Sequence, residues 1–256
     1  MCRHLAYLGP PASLAALLLD RPHSLLRQSW APKDMRHGGT INADGFGAGW
    51  YTGEPEPVRY RRDIPMWSDA GFADLARSVT TPATLAAVRS ATVGMPVRET
   101  ACAPFAEGPW LFSLNGVIAG WPGSVAGLAA GLPVTDLITL DAPTDSALLW
   151  ALVRHRLRTG CPPAEAVSTV VTSVAEAAPG SRLNVLLSDG DTVVGTAWGH
   201  ALSVRHDGDA VVVASEPWDD DPLWTDVPDR QLLVADRQEF TLHHLAETNE
   251  AETGKP

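Results

Sequence analysis

Two helical patterns lie side by side in the middle of this 256-residue chain, and short strand-like runs flank them on both sides. Thr144 and Asp145 can cap the first, whose apolar stripe is Leu148, Leu149, Leu152, Val153 and Leu157 before Arg158 and Gly160 end it. The second is predicted over 164–178, between the Pro162-Pro163 pair and Pro179-Gly180. On the N-terminal side a strand over 3–8 should stop at Gly9-Pro10-Pro11, and Ser13 should open a short helix that Pro22 closes. The glycine-rich run over 40–51 reads as a loop feeding a strand. Residues 85–90 and 110–114 read as buried strands, the second ending at an Asn115-Gly116 turn. On the C-terminal side strands are predicted over 183–187, 193–198, 201–204, 210–215 and 231–235, with hairpin turns at Asp189-Gly190 and Asp207-Gly208. Strands, then helices, then strands, without regular βαβ alternation, predict an α+β fold with mainly antiparallel sheets.

Composition narrows the class. With 45% hydrophobic and 19% charged residues the chain can build one sizeable core, predicted as a single domain over 2–245 with the polar stretch 246–256 as a frayed tail. The apolar stretch 12–19 is too short to cross a bilayer and runs at once into Asp20, Arg21 and Pro22, and no basic segment precedes it as in a signal peptide. No membrane role is expected. A formal charge of −11, with 19 basic residues spread along the chain, argues against nucleic acid as a partner. Cys2, Cys102 and Cys161 form neither a disulfide framework nor a CxxC pair, which fits a cytoplasmic compartment, and Cys161 reads as a helix-edge thiol. The eight histidines contain no HExxH or Cys/His ligand spacing. His4, His37 and the His243-His244 pair therefore read as structural or surface residues, and no metal or organic cofactor is expected.

Chemistry enters at Cys2. Removal of Met1 would leave this residue with a free α-amine, whose ordinary pKa of roughly 7.7–8.0 suits it to take the thiol proton and return it to a leaving nitrogen. One residue then supplies both nucleophile and base. Five ordered motifs accompany it: MCRHLAYLG at the start, NADGFGAGWY from Asn42, AAVRSAT from Ala86, FSLNGVI from Phe112 and TDSALL from Thr144. In these the chain resembles the class II glutamine amidotransferase family, over nearly its whole length from Cys2 to about Ala235. The resemblance implies an N-terminal-nucleophile (Ntn) hydrolase fold, a four-layer αββα sandwich with two antiparallel sheets face to face.

The family's roles carry over onto matching residues. Arg89, in AAVRSAT, corresponds to the arginine that grips the α-carboxylate of a glutamyl group with its two-pronged donor geometry. Taken alone, it reads equally as a buried arginine paired with a structural acid. Asp145, in TDSALL, resembles the aspartate that holds the substrate α-ammonium, a role compatible with the start of a helix. Asn115 and Gly116 match the oxyanion hole, although Asn-Gly by itself is also a common hairpin turn.

Three positions depart from the family pattern: Ala87, Ala103 and Leu114 stand where many relatives have histidine. These departures put ordinary glutamine in doubt as the substrate. The segments PHSLLRQSW from Pro22, GTAWGHALSVRHDG from Gly195 and VVVASEPWDDDPLWTDVPDRQLL from Val211 resemble the ergothioneine-biosynthetic branch of the family. That resemblance implies hydrolysis of the small molecule γ-glutamyl-hercynylcysteine S-oxide to glutamate and hercynylcysteine S-oxide. Two other readings stand beside it, a glutaminase subunit passing ammonia to a separate synthase and an inactive binding homologue. The trimethylammonium of the implied leaving group suggests an indole pocket, with Trp218 or Trp224 as first choice because they flank Asp219, Asp220 and Asp221.

Overall fold

The computed structural model describes residues 2–36 and 41–245. Met1, His37, Thr40 and the predicted tail over 246–256 lie outside the described residues. The strands are β1 (Arg3–Ser13), β2 (Phe46–Trp50), β3 (Val58–Arg62), β4 (Thr80–Val88), β5 (Phe105–Glu107), β6 (Trp110–Val117), β7 (Arg182–Ser188), β8 (Val193–Ala197), β9 (Ser203–Asp207), β10 (Ala210–Ala214), β11 (Trp224–Asp226), β12 (Gln231–Ala235) and β13 (Phe240–His244). The helices are α1 (Leu14–Leu18), α2 (Leu25–Gln28), α3 (Ala70–Ser78), α4 (Ala126–Ala129), α5 (Val134–Ile138), α6 (Asp145–Arg158) and α7 (Pro163–Ala177). None of them is long and apolar enough to cross a membrane.

Two antiparallel sheets form the middle of the molecule, one in the order β11-β9-β10-β1-β4-β2-β3 and the other in the order β13-β12-β8-β7-β6-β5. Alternation along the strands assigns their faces. In β1, Ala6 and Leu8 pack between the sheets against Leu186 and Val213, while Leu5 and Tyr7 pack outward with α1 and α3. In β6, Leu111 faces the other sheet, while Phe112 and Leu114 meet α6 and α7, where Phe112 stacks on Trp150 at 5.2 Å. Strands buried on both faces lose the polar half of the alternation, which is why these segments read as continuous apolar runs. The result is a four-layer αββα sandwich, as the family resemblance implied.

Helix entry follows side-chain chemistry. The Ser13 hydroxyl accepts from the Ala16 amide at 3.1 Å to start α1, and the Thr144 hydroxyl accepts from the Ala147 amide at 3.2 Å to start α6. Two boundary expectations are corrected. The first strand does not stop at Gly9-Pro10-Pro11 but runs on to Ser13, its pairing with β4 shifting register between Leu8 and Ala12, so the prolines sit in an irregular stretch rather than ending the strand. Asn115-Gly116 is not a turn either. β6 continues through it, pairing Asn115 with Asn184 and Gly116 with Leu183, so long-range pairing overrides the local turn signal.

Candidate active site

Register places the first pair of functional side chains. β1 and β4 run antiparallel with Arg3 opposite Val88, so Cys2 at the head of β1 comes beside Arg89 at the end of β4. The Cys2 thiol points to the Ser90 carbonyl at 3.7 Å. Cys2 and Arg89 line one small cavity of about 30 Å³, the space of about one water. Arg89 Nη1 is buried with no hydrogen-bond partner among the described residues. A guanidinium nitrogen left in that state is a donor awaiting an acceptor. No ion pair to Arg89 occurs among the described residues, and the acid on which its charge acts is the buried Asp145.

Neither Asp145 nor Asn115 is among the residues lining this cavity, although their chain neighbours Ser146 and Leu114 are, and Leu114 and Asn115 point to opposite faces of β6. The Asp145 carboxylate accepts from the Ile118 amide at 3.1 Å and the Ser146 amide at 2.8 Å. Burial raises its pKa, while those two amides and the Arg89 charge pull the other way. Asn115 is 1% exposed, its Nδ2 donates to Ser215 Oγ at 3.2 Å, and its Oδ1 has no partner. At Gly116 a Cβ would collide with the Arg182 carbonyl oxygen across the strand pair, so the position demands glycine.

The three departures from the family pattern meet here. Ala87, Ala103 and Leu114 all line the Cys2 cavity, where they give it an apolar wall. Cys2 and Arg89 are the only titratable side chains among its lining residues, and arginine stays protonated. Among the described residues, the cavity wall thus offers no side-chain base beside the thiol.

Several residues that sequence reasoning did not select also shape the site. The Asp44 amide donates to the Arg89 carbonyl at 3.0 Å, the Arg89 amide donates to the Gly45 carbonyl at 2.8 Å, and the Asp44 carboxylate accepts from the Ala91 amide at 2.8 Å. The NADG stretch therefore clamps the segment that bears Arg89. Its signal was the motif itself, read for resemblance and not for a role. At Gly45 a Cβ would collide with Cys102 Sγ, and φ is +129°. Burial pushes the Cys102 thiol up to about 11, leaving it a neutral packing residue. His4, fully buried beside Ser113 Oγ at 3.2 Å, is held down to about 3 by burial first and then by the charges of His200 and Arg3.

The two tryptophans expected at a leaving-group pocket part company. An open cleft of about 600 Å³ is lined by Ser215, Glu216, Trp224 and the carboxylates of Asp219, Asp220 and Asp221. Trp224 Nε1 donates to Asp219 Oδ1 at 2.8 Å, which fixes its ring there. Trp218 does not line this cleft. It is 2% exposed, packs edge-on against Trp224 at 6.0 Å, and lies under the Arg21 guanidinium at 4.8 Å, because its bulk fills the core beneath α1.

Comparisons with known proteins agree with this architecture. The family described as glutamine amidotransferases class-II matches residues 14–207. A protein of Mycolicibacterium smegmatis named gamma-glutamyl-hercynylcysteine sulfoxide hydrolase is 45% identical over 233 residues, 91% of this chain and 95% of that protein. A protein of the same name from Mycobacterium tuberculosis is 41% identical over 246 residues, 96% of this chain and 97% of that one. Among solved structures, a glutamine aminotransferase class-II domain protein from Silicibacter pomeroyi superimposes with a TM-score of 0.67 at 24% identity, covering 96% of this chain and 100% of that one. Glutamine phosphoribosylpyrophosphate amidotransferase from B. subtilis gives 0.64 at 14% identity, covering 97% of this chain and 50% of that chain. At these identities the solved structures speak for the fold alone.

Proposed function

The chain belongs to the class-II glutamine amidotransferase family, and from that premise we propose that it hydrolyses the γ-glutamyl amide of γ-glutamyl-hercynylcysteine sulfoxide, with Cys2 as nucleophile. The observation that carries this reading is that Arg89, whose buried Nη1 has no hydrogen-bond partner among the described residues, lines the same cavity as Cys2. It supplies a site for a carboxylate next to a group able to attack an amide. The relatives at 41–45% identity support the choice of leaving group.

The reaction uses the chain's own groups. With Met1 removed, the Cys2 α-amine takes the thiol proton, and the thiolate attacks the γ-carbonyl carbon. Arg89 holds the α-carboxylate and Asp145 the α-ammonium, fixing the glutamyl group over the sulfur. Asn115 Nδ2 and the Gly116 amide donate to the oxygen as it becomes negative, each such donor lowering the barrier by about 2.7–4 kcal/mol. The C–N bond then breaks, the departing amine takes the proton from the Cys2 α-ammonium, and a γ-glutamyl thioester remains. Water, deprotonated by the regenerated α-amine, cleaves the thioester to glutamate and restores the thiol. The apolar wall of Ala87, Ala103 and Leu114 supports the α-amine as the base, since among the described residues no lining side chain can replace it. The leaving group is assigned to the acidic cleft, where a cation would meet Trp224 and the carboxylates of Asp219, Asp220 and Asp221 in competition with their pairing to Arg21, Lys33 and Arg205.

Incubating the purified protein separately with the γ-glutamyl sulfoxide and with glutamine tests the reading. Glutamate release from the sulfoxide, with little ammonia from glutamine, is expected. Comparable turnover of glutamine would favour a glutaminase, and no acyl-enzyme with either compound would leave a binding homologue.

A further inference from the structure

Beside Asn115 one side chain bridges the two sheets. Ser215 directly follows β10 in the first sheet and faces β6 of the second. Its amide donates to the His4 carbonyl at 3.0 Å, and its Oγ accepts from the His4 amide at 3.0 Å and from Asn115 Nδ2 at 3.2 Å. All three residues are buried, Ser215 to 2% exposure. Ser215 Oγ is the hydrogen-bond partner of the Asn115 side chain among the described residues, since Asn115 Oδ1 has none.

An asparagine amide carries two Nδ2 protons in one plane. When Ser215 Oγ takes one, rotation of the amide is arrested and the direction of the other is set. A donor that is already aimed contributes most to an oxyanion hole, because nothing need reorganise as charge develops. Ser215 is itself anchored on the backbone of His4, two residues from Cys2, so nucleophile and oxyanion donor are tied to one another through a single hydroxyl.

We propose that Ser215 is a positioning residue for the oxyanion hole, fixing the Asn115 amide so that its second Nδ2 proton meets the γ-carbonyl oxygen. The proposal rests on the reading of Asn115 as an oxyanion donor.

The test measures kcat and KM for the γ-glutamyl sulfoxide in Ser215→Ala, Ser215→Cys, Asn115→Ala and the double variant Ser215→Ala/Asn115→Ala. In Ser215→Ala, kcat should fall roughly 10- to 100-fold with KM changed less than about threefold, since the contribution arises in the transition state. Ser215→Cys keeps the packing but offers a weak sulfur acceptor, so it should show the same kcat loss even if the alanine variant does not fold. The double variant should match Asn115→Ala alone, because Ser215 has nothing left to position. Wild-type kcat in Ser215→Cys beside a crippled Asn115→Ala overturns the positioning role alone, as does a fully multiplicative loss in the double variant. Wild-type kcat in Asn115→Ala overturns the oxyanion reading and the positioning role with it.

Discussion

Asp44 is bonded to Arg89 through its amide, which donates to the Arg89 carbonyl at 3.0 Å; its carboxylate takes the Ala91 amide at 2.8 Å, and the carbonyl of the next residue, Gly45, takes the Arg89 amide at 2.8 Å. These bonds fix the backbone from which the Arg89 side chain departs. Asp44→Ala removes the bond to Ala91 and should raise KM for the γ-glutamyl substrate by about 1–2 kcal/mol, roughly 5- to 30-fold, with a smaller effect on kcat. Asp44→Asn retains an acceptor oxygen and should lose less. Equal KM values in steady-state assays of Asp44→Ala and the wild type would remove the clamp from the account.

The α-amine serves as base only when Met1 is gone, so the active protein should have the intact mass of a chain beginning at Cys2. Cys2→Ala should abolish turnover and still bind substrate. Full activity in protein that retains Met1 would sink the mechanism.

Arg89→Lys keeps the charge and loses the planar fork, leaving one point donor where two were offered. A loss of about 1.5–3 kcal/mol, roughly 10- to 150-fold in KM, is expected. Asp145 adds a pH dependence. Burial raises its pKa, so as pH falls it takes up a proton earlier than an exposed aspartate does and loses its attraction for the α-ammonium. KM should rise on the acid side, and this limb should vanish in Asp145→Asn. If a desamino analogue is cut as well as the parent compound, Asp145 does not read the ammonium.

His4 predicts an acid-sensitive fold. Its folded pKa is held at about 3, below the 6.5 of an ordinary histidine, chiefly by burial. The stabilisation is therefore fully present above about pH 6.5 and is lost as pH falls toward 3, because the unfolded chain binds a proton that the folded chain refuses. The slope from this group is at most about 1.4 kcal/mol per pH unit. Urea midpoints at pH 7 and pH 5 should differ more in the wild type than in His4→Asn. Parallel shifts would assign the acid sensitivity to other groups.

Trp224 lines the acidic cleft and Trp218 does not, so the two should separate in assays that compare a trimethylammonium leaving group with its unmethylated counterpart. Trp224→Leu should cost the betaine compound about 0.5–2 kcal/mol more than the amine. Trp218→Leu should lower stability through lost packing and affect both substrates alike. An equal factor for both substrates in Trp224→Leu would move the cation elsewhere.

The amino-acid sequence by itself determined the α+β class, the two long helices and the Thr144 cap of the first, most of the strands, and the motifs around Cys2, Arg89, Asn115 and Asp145. Those signals are local, because a cap, a stripe or a hairpin turn is written in residues a few positions apart. Tertiary structure decided the rest. Asn115-Gly116 became part of β6 because pairing with Asn184 and Leu183 outweighed its turn preference, and β1 ran through Pro10 and Pro11 to Ser13 by shifting register. Neither β3 nor β13 was read from the sequence, since edge strands half open to solvent carry no continuous apolar run. The meeting of Cys2 with Arg89, of Asp44 with Ala91 and of Ser215 with Asn115 joins residues 47 to 100 positions apart. Their proximity comes from strand register, which is fixed when the sheets pack, because a one-residue slip would turn every buried side chain to the wrong face.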